Sequence, residues 1–249
     1  MTHYDYQLTD QDPDQFLAVL LGEIRAAQVL DVACGPGGFT NALVQGLKEF
    51  THLTAVDVDE EMIARARQNI PDENVDFKLM DAAELQFPAE SFDLVGCAFS
   101  LHHLPDPERT IAEIRRVLKP GGYALFVEMY RDHLTDTQQT ESNLHHWAGR
   151  IDTARGISHR QTYLRQEIIE MIAPDEWQSA RVADVADMSF DPKGEEITNL
   201  ILGSIDRVVT RAEGLPDQAL FEQQAEELRQ RTREIGAHVS TRLMALLQK

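Results

Sequence analysis

At 249 residues, with 43% hydrophobic and 26% charged side chains, the chain has material for one large globular domain or a domain with a cap. Its 42 Asp and Glu against 23 Lys and Arg give a net charge of -19, which repels phosphate backbones and anionic headgroups and argues against nucleic acid or membrane as a partner. No apolar run is long enough to span a bilayer, and the polar, acidic opening MTHYDYQLTDQDPDQ reads as neither secretory signal nor transit peptide, so a cytoplasmic location is expected.

In chain order, Val29–Ala33 is a short apolar strand closed by a glycine loop, and Thr40–Leu47 then reads as a helix. Leu53–Val58 is β-branched, apolar and ends on acids. Glu60–Ile70 sets Met62, Ile63, Ala66 and Ile70 at helical spacing, with Glu60 and Glu61 at the positive end of the helix dipole. Val75–Met80 is a third strand, closed by Asp81, and Phe92–Phe99 is the unbroken apolar run expected of a strand buried on both faces. Pro107–Leu118 carries Ile111, Ile114 and Leu118 on one helical face, LKPGG stops that helix, and Tyr123–Glu128 is a fifth strand.

After Met129 the texture changes. Arg131–Trp177 is polar and mostly helical in pattern, Arg181–Phe190 reads as a strand, Gly194–Ala212 and Asp217–Ile235 as helices, and His238–Leu247 as a last strand. The expected fold is α/β: a doubly wound, Rossmann-like, seven-stranded and mostly parallel sheet with helices on both faces and a helical lid. Its expected organisation is a core over 1–130, a lid or substrate cap over 131–180, and C-terminal strands of the core over 181–249 with a helical insertion at 191–236.

The stretch VLDVACGPGGFT carries the chemistry. A strand that ends in glycines and turns into a helix offers backbone N–H groups to a ligand, and glycine permits positive φ and close approach. Gly35, Gly37 and Gly38 give G-x-G-G, but Thr40 stands where the dinucleotide fingerprint places its third glycine. Asp31, just before the loop, is a poor neighbour for a pyrophosphate and a good one for an ammonium. Asp57 ends the second strand about 20 residues past the loop, where an acid accepts ribose hydroxyls. Asp81 ends the third, within reach of an adenine amino group. An amine, a ribose and an adenine without a phosphate describe S-adenosyl-L-methionine. Asp57 and Asp81 also suit plain turn positions.

VLDVACGPGGFT, AVDVDEEMIARAR, MDAAELQFPAESFDLV and SLHHLPDPERTIAEIRRVLKPGG, in this order and spacing over residues 29–128, resemble the class I S-adenosylmethionine-dependent methyltransferases, in their small-molecule branch. The resemblance implies that Asp31, Ala33, Gly35 and Gly37 line the methionine end of the cofactor. It further implies Asp57 on the ribose, Val58 and Met62 against the adenine, Asp81 and Ala82 at the adenine edge, and Phe99 and Ser100 beside the sulfonium. The implied activity is in-line methyl transfer to a small-molecule acceptor. A non-catalytic sensor or scaffold that binds the same cofactor, and a nicotinamide-dependent oxidoreductase, are the alternatives.

No catalytic side chain is assigned; His102, His103 and Glu128 are candidates for a base, with helix capping or packing as the bland role of the histidines and a pair with Arg131 as another role for Glu128. Six of the nine histidines (His102, His103, His133, His145, His146, His159) fall within one stretch, but His145, His146 and His159 match no zinc spacing, so no metal is expected. Trp147 and Tyr163 suit either a pocket wall or an anchor for the cap. Cys34 and Cys97 read as buried hydrophobes. Tyr4 and Tyr6 could close the site, and disorder of that end is the alternative. The oligomeric state is open.

Overall fold

The apolar runs lie side by side at the centre of one sheet. The computed structural model describes residues 6–249 and contains strands β1 (Leu8–Asp10), β2 (Gln28–Val32), β3 (His52–Asp57), β4 (Val75–Leu79), β5 (Phe92–Ala98), β6 (Leu118–Met129), β7 (Ser179–Ala186) and β8 (Arg242–Gln248). Their spatial order is β1-β7-β8-β6-β5-β2-β3-β4, with β8 antiparallel to both neighbours and every other pairing parallel. The sheet therefore has eight strands where seven were expected. The addition is β1, three residues at the edge with an exposed–intermediate–exposed pattern, too short and too wet to show apolar alternation.

The helices are α1 (Pro13–Gly22), α2 (Gly38–Gly46), α3 (Glu60–Asn69), α4 (Pro107–Val117), α5 (Gln138–Ala154), α6 (Arg165–Ile172), α7 (Glu195–Val209) and α8 (Gln218–Glu234). Alternate residues of each central strand feed two cores. Leu30, Val32, Val95, Cys97, Ala124 and Phe126 face α4 and α6; Val29, Leu94, Leu125 and Val127 face α1, α2 and α3. This two-sided burial explains why the strands read as continuous apolar runs. Helix α4 ends at Val117, and Leu118–Gly122 is already strand: Leu118 pairs with Phe92 before an irregularity shifts the register to Leu94–Tyr123.

A third apolar cluster joins α5, α7 and α8 through Leu144, Trp147, Ile151, Ile201, Ile205 and Phe221. Trp147, 1% exposed, sits inside that helical layer, while Tyr163 packs against the sheet core beside α6. Of the two tyrosines near the N-terminus, Tyr4 lies outside the described residues. Tyr6 stacks on His133 with ring centroids 4.9 Å apart and stands 5.8 Å from the Arg165 guanidinium.

Candidate functional site

The carboxyl ends of β2, β3, β4 and β5 meet at one edge, and the strand order reverses between β2 and β5, where open α/β sheets place their ligands. Both strands there leave regular geometry on a non-glycine residue in the left-handed region: Ala33 has φ 55° and Phe99 has φ 52°. Such residues persist only where surrounding contacts hold them. Ser100 supplies one: its hydroxyl donates to the Ala33 carbonyl at 3.1 Å and the Ala98 carbonyl at 2.6 Å, tying the two strand ends together.

Asp31 emerges on the face covered by α2 and is 1% exposed. Its Oδ2 accepts a hydrogen bond from the Thr40 hydroxyl at 2.5 Å, whereas Oδ1 is buried without a partner among the described residues. Thr40 thus replaces the third fingerprint glycine with a group that orients the acid; the side chain is fully buried. Burial, more than the opposing Thr40 hydrogen bond, pushes the Asp31 carboxyl up to about 7. A buried carboxylate oxygen without a donor is what an ammonium would satisfy.

The glycines divide the work. Gly35 has φ 53° and a Cβ there would meet nothing within 4 Å, so the loop leaves open space beside its backbone. Gly37, the N-cap of α2, has φ 92°, and a Cβ there would stand 2.7 Å from Ile70 Cδ1. Its smallness is demanded by the packing of α2 on α3.

Asp57 fills the turn position read from the sequence and also holds the glycine loop. Its Oδ1 accepts from the Asp59 N–H at 2.9 Å, a turn bond, while Oδ2 accepts from the Gly35 N–H at 2.8 Å and so fixes the loop. Asp81 accepts from the Ala83 N–H at 2.8 Å and is exposed, with Ala82 buried behind it. Val58 is 73% exposed at the end of β3, and Met62 is half-buried in the first turn of α3, whose cap is Asp59. All of these flank the same edge.

Glu128, 1% exposed, is committed to the protein. Its Oε1 accepts from the N–H groups of Ser100 at 2.6 Å and Leu101 at 2.7 Å, and Oε2 lies 3.5 Å from His102 Nδ1. It positions the turn after β5; Arg131 instead pairs with Glu167 at 3.4 Å.

Behind that turn the histidines gather. His145 Nε2 lies 3.2 Å from both His102 Nε2 and His159 Nε2, and the rings of His103 and His159 are 4.2 Å apart. His146 faces away, to the Thr162 hydroxyl at 2.9 Å. Burial lowers the imidazoles of His103 to about 4, His145 to about 2 and His146 to about 4, so all three are neutral at physiological pH. Burial likewise raises the Cys34 and Cys97 thiols, which are free and inert. Thr40 was marked in the sequence only by the absence of the third glycine, with no role of its own; Asp152 was not singled out and had no local signal.

A family profile described as "Methyltransferase domain" matches residues 30–126. The Ubiquinone/menaquinone biosynthesis C-methyltransferase UbiE of Hydrogenovibrio crunogenus is 34% identical over 116 residues, 45% of this chain and 46% of that protein. The demethylmenaquinone methyltransferase of Staphylococcus aureus is 36% identical over 109 residues, 43% of this chain and 45% of that protein. The chain thus spans less than half the length of these curated relatives. The crystal structure of the YcgJ protein from Bacillus subtilis superposes with a TM-score of 0.59 at 20% identity, covering 95% of this chain and 97% of that one, and shows the same fold.

Proposed function

We propose a methyl-transfer reaction for this chain, which over residues 30–126 belongs to the class I S-adenosylmethionine-dependent methyltransferases. The cofactor of that family is S-adenosyl-L-methionine, and the residues present fit it. The observation that carries the reading is the unpartnered, buried Oδ1 of Asp31 beside the open backbone of Gly35. That pair suits an ammonium and its carbon chain better than a diphosphate.

On this reading Asp31 holds the amine, Ala33, Gly35 and Gly37 frame the methionine end, and Asp57 takes the ribose hydroxyls on lone pairs its two backbone donors leave free. Val58 and Met62 pack on the adenine, Asp81 and Ala82 meet its edge, and Phe99 and Ser100 border the sulfonium. The bound cofactor supplies a methyl group activated by positive sulfur. The protein supplies alignment with the acceptor, which is worth roughly 7–11 kcal/mol in favourable cases. Of the base candidates, Glu128 has its oxygens turned to the protein and His102 is equally buried with its nitrogens facing Glu128 and His145, which leaves the half-buried His103. Among the described residues no helix is long and apolar enough to cross a membrane.

The acceptor is proposed to be a small molecule covered by α5, α7 and α8. This helical layer lies beyond residues 30–126, so the quinone acceptors in the relatives' names do not carry over with the matched segment. Calorimetric titration tests the cofactor reading: S-adenosylmethionine should bind and NADH should not, and the reverse result overturns it. Asp57→Ala should weaken binding more than about tenfold, because a charge-assisted acceptor is lost and the Gly35 N–H released. Transfer of a labelled methyl group to a fractionated metabolite extract separates an enzyme from a sensor.

The glycines give a second check. Gly35→Ala should leave a folded chain, with roughly 1–2 kcal/mol of left-handed strain, and weaken cofactor binding. Gly37→Ala should lower the melting temperature further, because φ 92° carries left-handed strain too and the new methyl also displaces the Ile70 side chain. Equal losses of stability at the two positions would contradict this division.

A further inference from the structure

We propose that His102, His145 and His159 form a binding site for a divalent transition-metal ion of the zinc type, with His103 at its rim. Tetrahedral zinc with bonds of about 2.0–2.1 Å to nitrogen holds its donors ~3.3 Å apart. The two Nε2···Nε2 separations at His145 are both 3.2 Å. His102, His103 and His159 each offer a ring nitrogen such that all three atoms lie within 4.8 Å of one another.

Hydrogen bonding alone serves this arrangement poorly. His159 Nδ1 lies 2.9 Å from Asp152 Oδ2, which holds a proton on Nδ1, and in the neutral ring Nε2 then faces His145 as a lone pair. His145 then has at most one Nε2–H for the two nitrogens it faces. A cation seated beside His145, between it and its two neighbours, relieves that conflict. The Nδ1 atoms of His159, His103 and His102 are placed as metal-bound histidines require, against a carboxylate or a carbonyl. Besides Asp152 on His159, the Ser158 carbonyl lies 3.3 Å from His103 Nδ1, and Glu128 Oε2 faces His102 Nδ1 at 3.5 Å, where that nitrogen has no hydrogen-bond partner among the described residues. Glu128 and Asp152 are both buried behind their histidines, and the second oxygen of Asp152 is held by Arg211 at 2.8 Å.

The backbone makes room for this cluster. His145, Gly149 and Asp152 lie on one face of α5, and a Cβ at Gly149 would stand 3.0 Å from the His159 ring. Glycine inside a helix costs up to about 1 kcal/mol relative to alanine. Here it lets the ring of a residue from the loop after α5 lie against the helix between a second histidine and its own carboxylate. The donors come from the turn after β5, from α5 and from that loop, so no local spacing announces them. Imidazole donors of this kind suit zinc, copper, nickel or iron.

The test uses the untagged full chain, stripped with a chelator and titrated with Zn2+ alone by calorimetry. The expected result is one ion per chain with a rise in melting temperature. His145→Ala and His159→Ala should each lower affinity by about 100-fold or more, and Asp152→Asn by roughly 10–100-fold, as for other partners of metal-bound histidines. His133→Ala should bind as the natural chain does. Should the alanine variants misfold, His145→Gln and His159→Gln, with their fold verified by circular dichroism, replace them. Failure to take up a stoichiometric ion, or unchanged affinity in folded His145 and His159 variants, overturns the site and leaves a metal-free histidine network. S-Adenosylmethionine is titrated separately, so the two readings stand or fall independently.

Discussion

Asp31→Asn is expected to make the ligand-free protein more stable at alkaline pH while weakening its grip on S-adenosylmethionine. The carboxyl stands at about 7 in the fold against 3.8 as a free group. Between those values the native state keeps a proton that the unfolded chain has released, so raising the pH favours unfolding, and this group's contribution is lost as pH climbs from about 4 through 7. The linked cost at alkaline pH is roughly 4 kcal/mol. Asparagine removes it, and a gain of about 2–3 kcal/mol at pH ~8 should appear as a melting temperature several degrees higher, fading toward pH ~5. Cofactor affinity should fall about 10–100-fold with the loss of a charge-assisted hydrogen bond. In the natural protein, binding at pH ~6 should release close to one proton, measurable as a dependence of binding heat on the buffer's ionisation enthalpy, and almost none at pH ~8. A variant no more stable than the natural protein at pH ~8, or binding without proton release at pH ~6, would show that Asp31 is ionised in the free protein.

Glu128→Ala should be among the most damaging single changes. It strips acceptors from two backbone N–H groups, of Ser100 and Leu101, at a position 1% exposed. Each orphaned donor costs about 1–3 kcal/mol, so a loss near 3–5 kcal/mol and a fall of roughly 10 °C in melting temperature are expected. The turn that holds Phe99 and Ser100 should loosen, and cofactor affinity with it. Glu128→Gln keeps an amide oxygen for the same donors and should lose less than half as much stability. If the glutamine variant is as unstable as the alanine one, the charge facing His102, rather than the acceptor role, is what the fold requires.

The alternation of β2, α2, β3, α3 and β5 was legible because parallel strands buried on both faces need unbroken apolar runs, and the helices between them show a single apolar stripe. Helix α1 was not read from the sequence, although Asp12 as N-cap followed by Pro13 is a helix-start signal. Strand β1 had no such signal. At the site, the acids and glycines were readable because each closes a strand. What each contacts was not, since the contact depends on elements distant in sequence: Gly37 answers to Ile70, and Glu128 holds a turn on the neighbouring strand. The histidines illustrate the same limit. Their assembly needs α5 to pack behind the β5 turn, and spacing along the chain carries no trace of that.

Strand β1 has a consequence for how the molecule is made. Leu8 to Asp10 pair with Asp184 to Ala186, so this strand finds its partner only after the long intervening stretch has been made. The central strands have partners much nearer in sequence and can associate earlier. Such long-separation pairings are slow to form. Strand β1 is therefore expected to dock late during synthesis, once β7 is available to receive it.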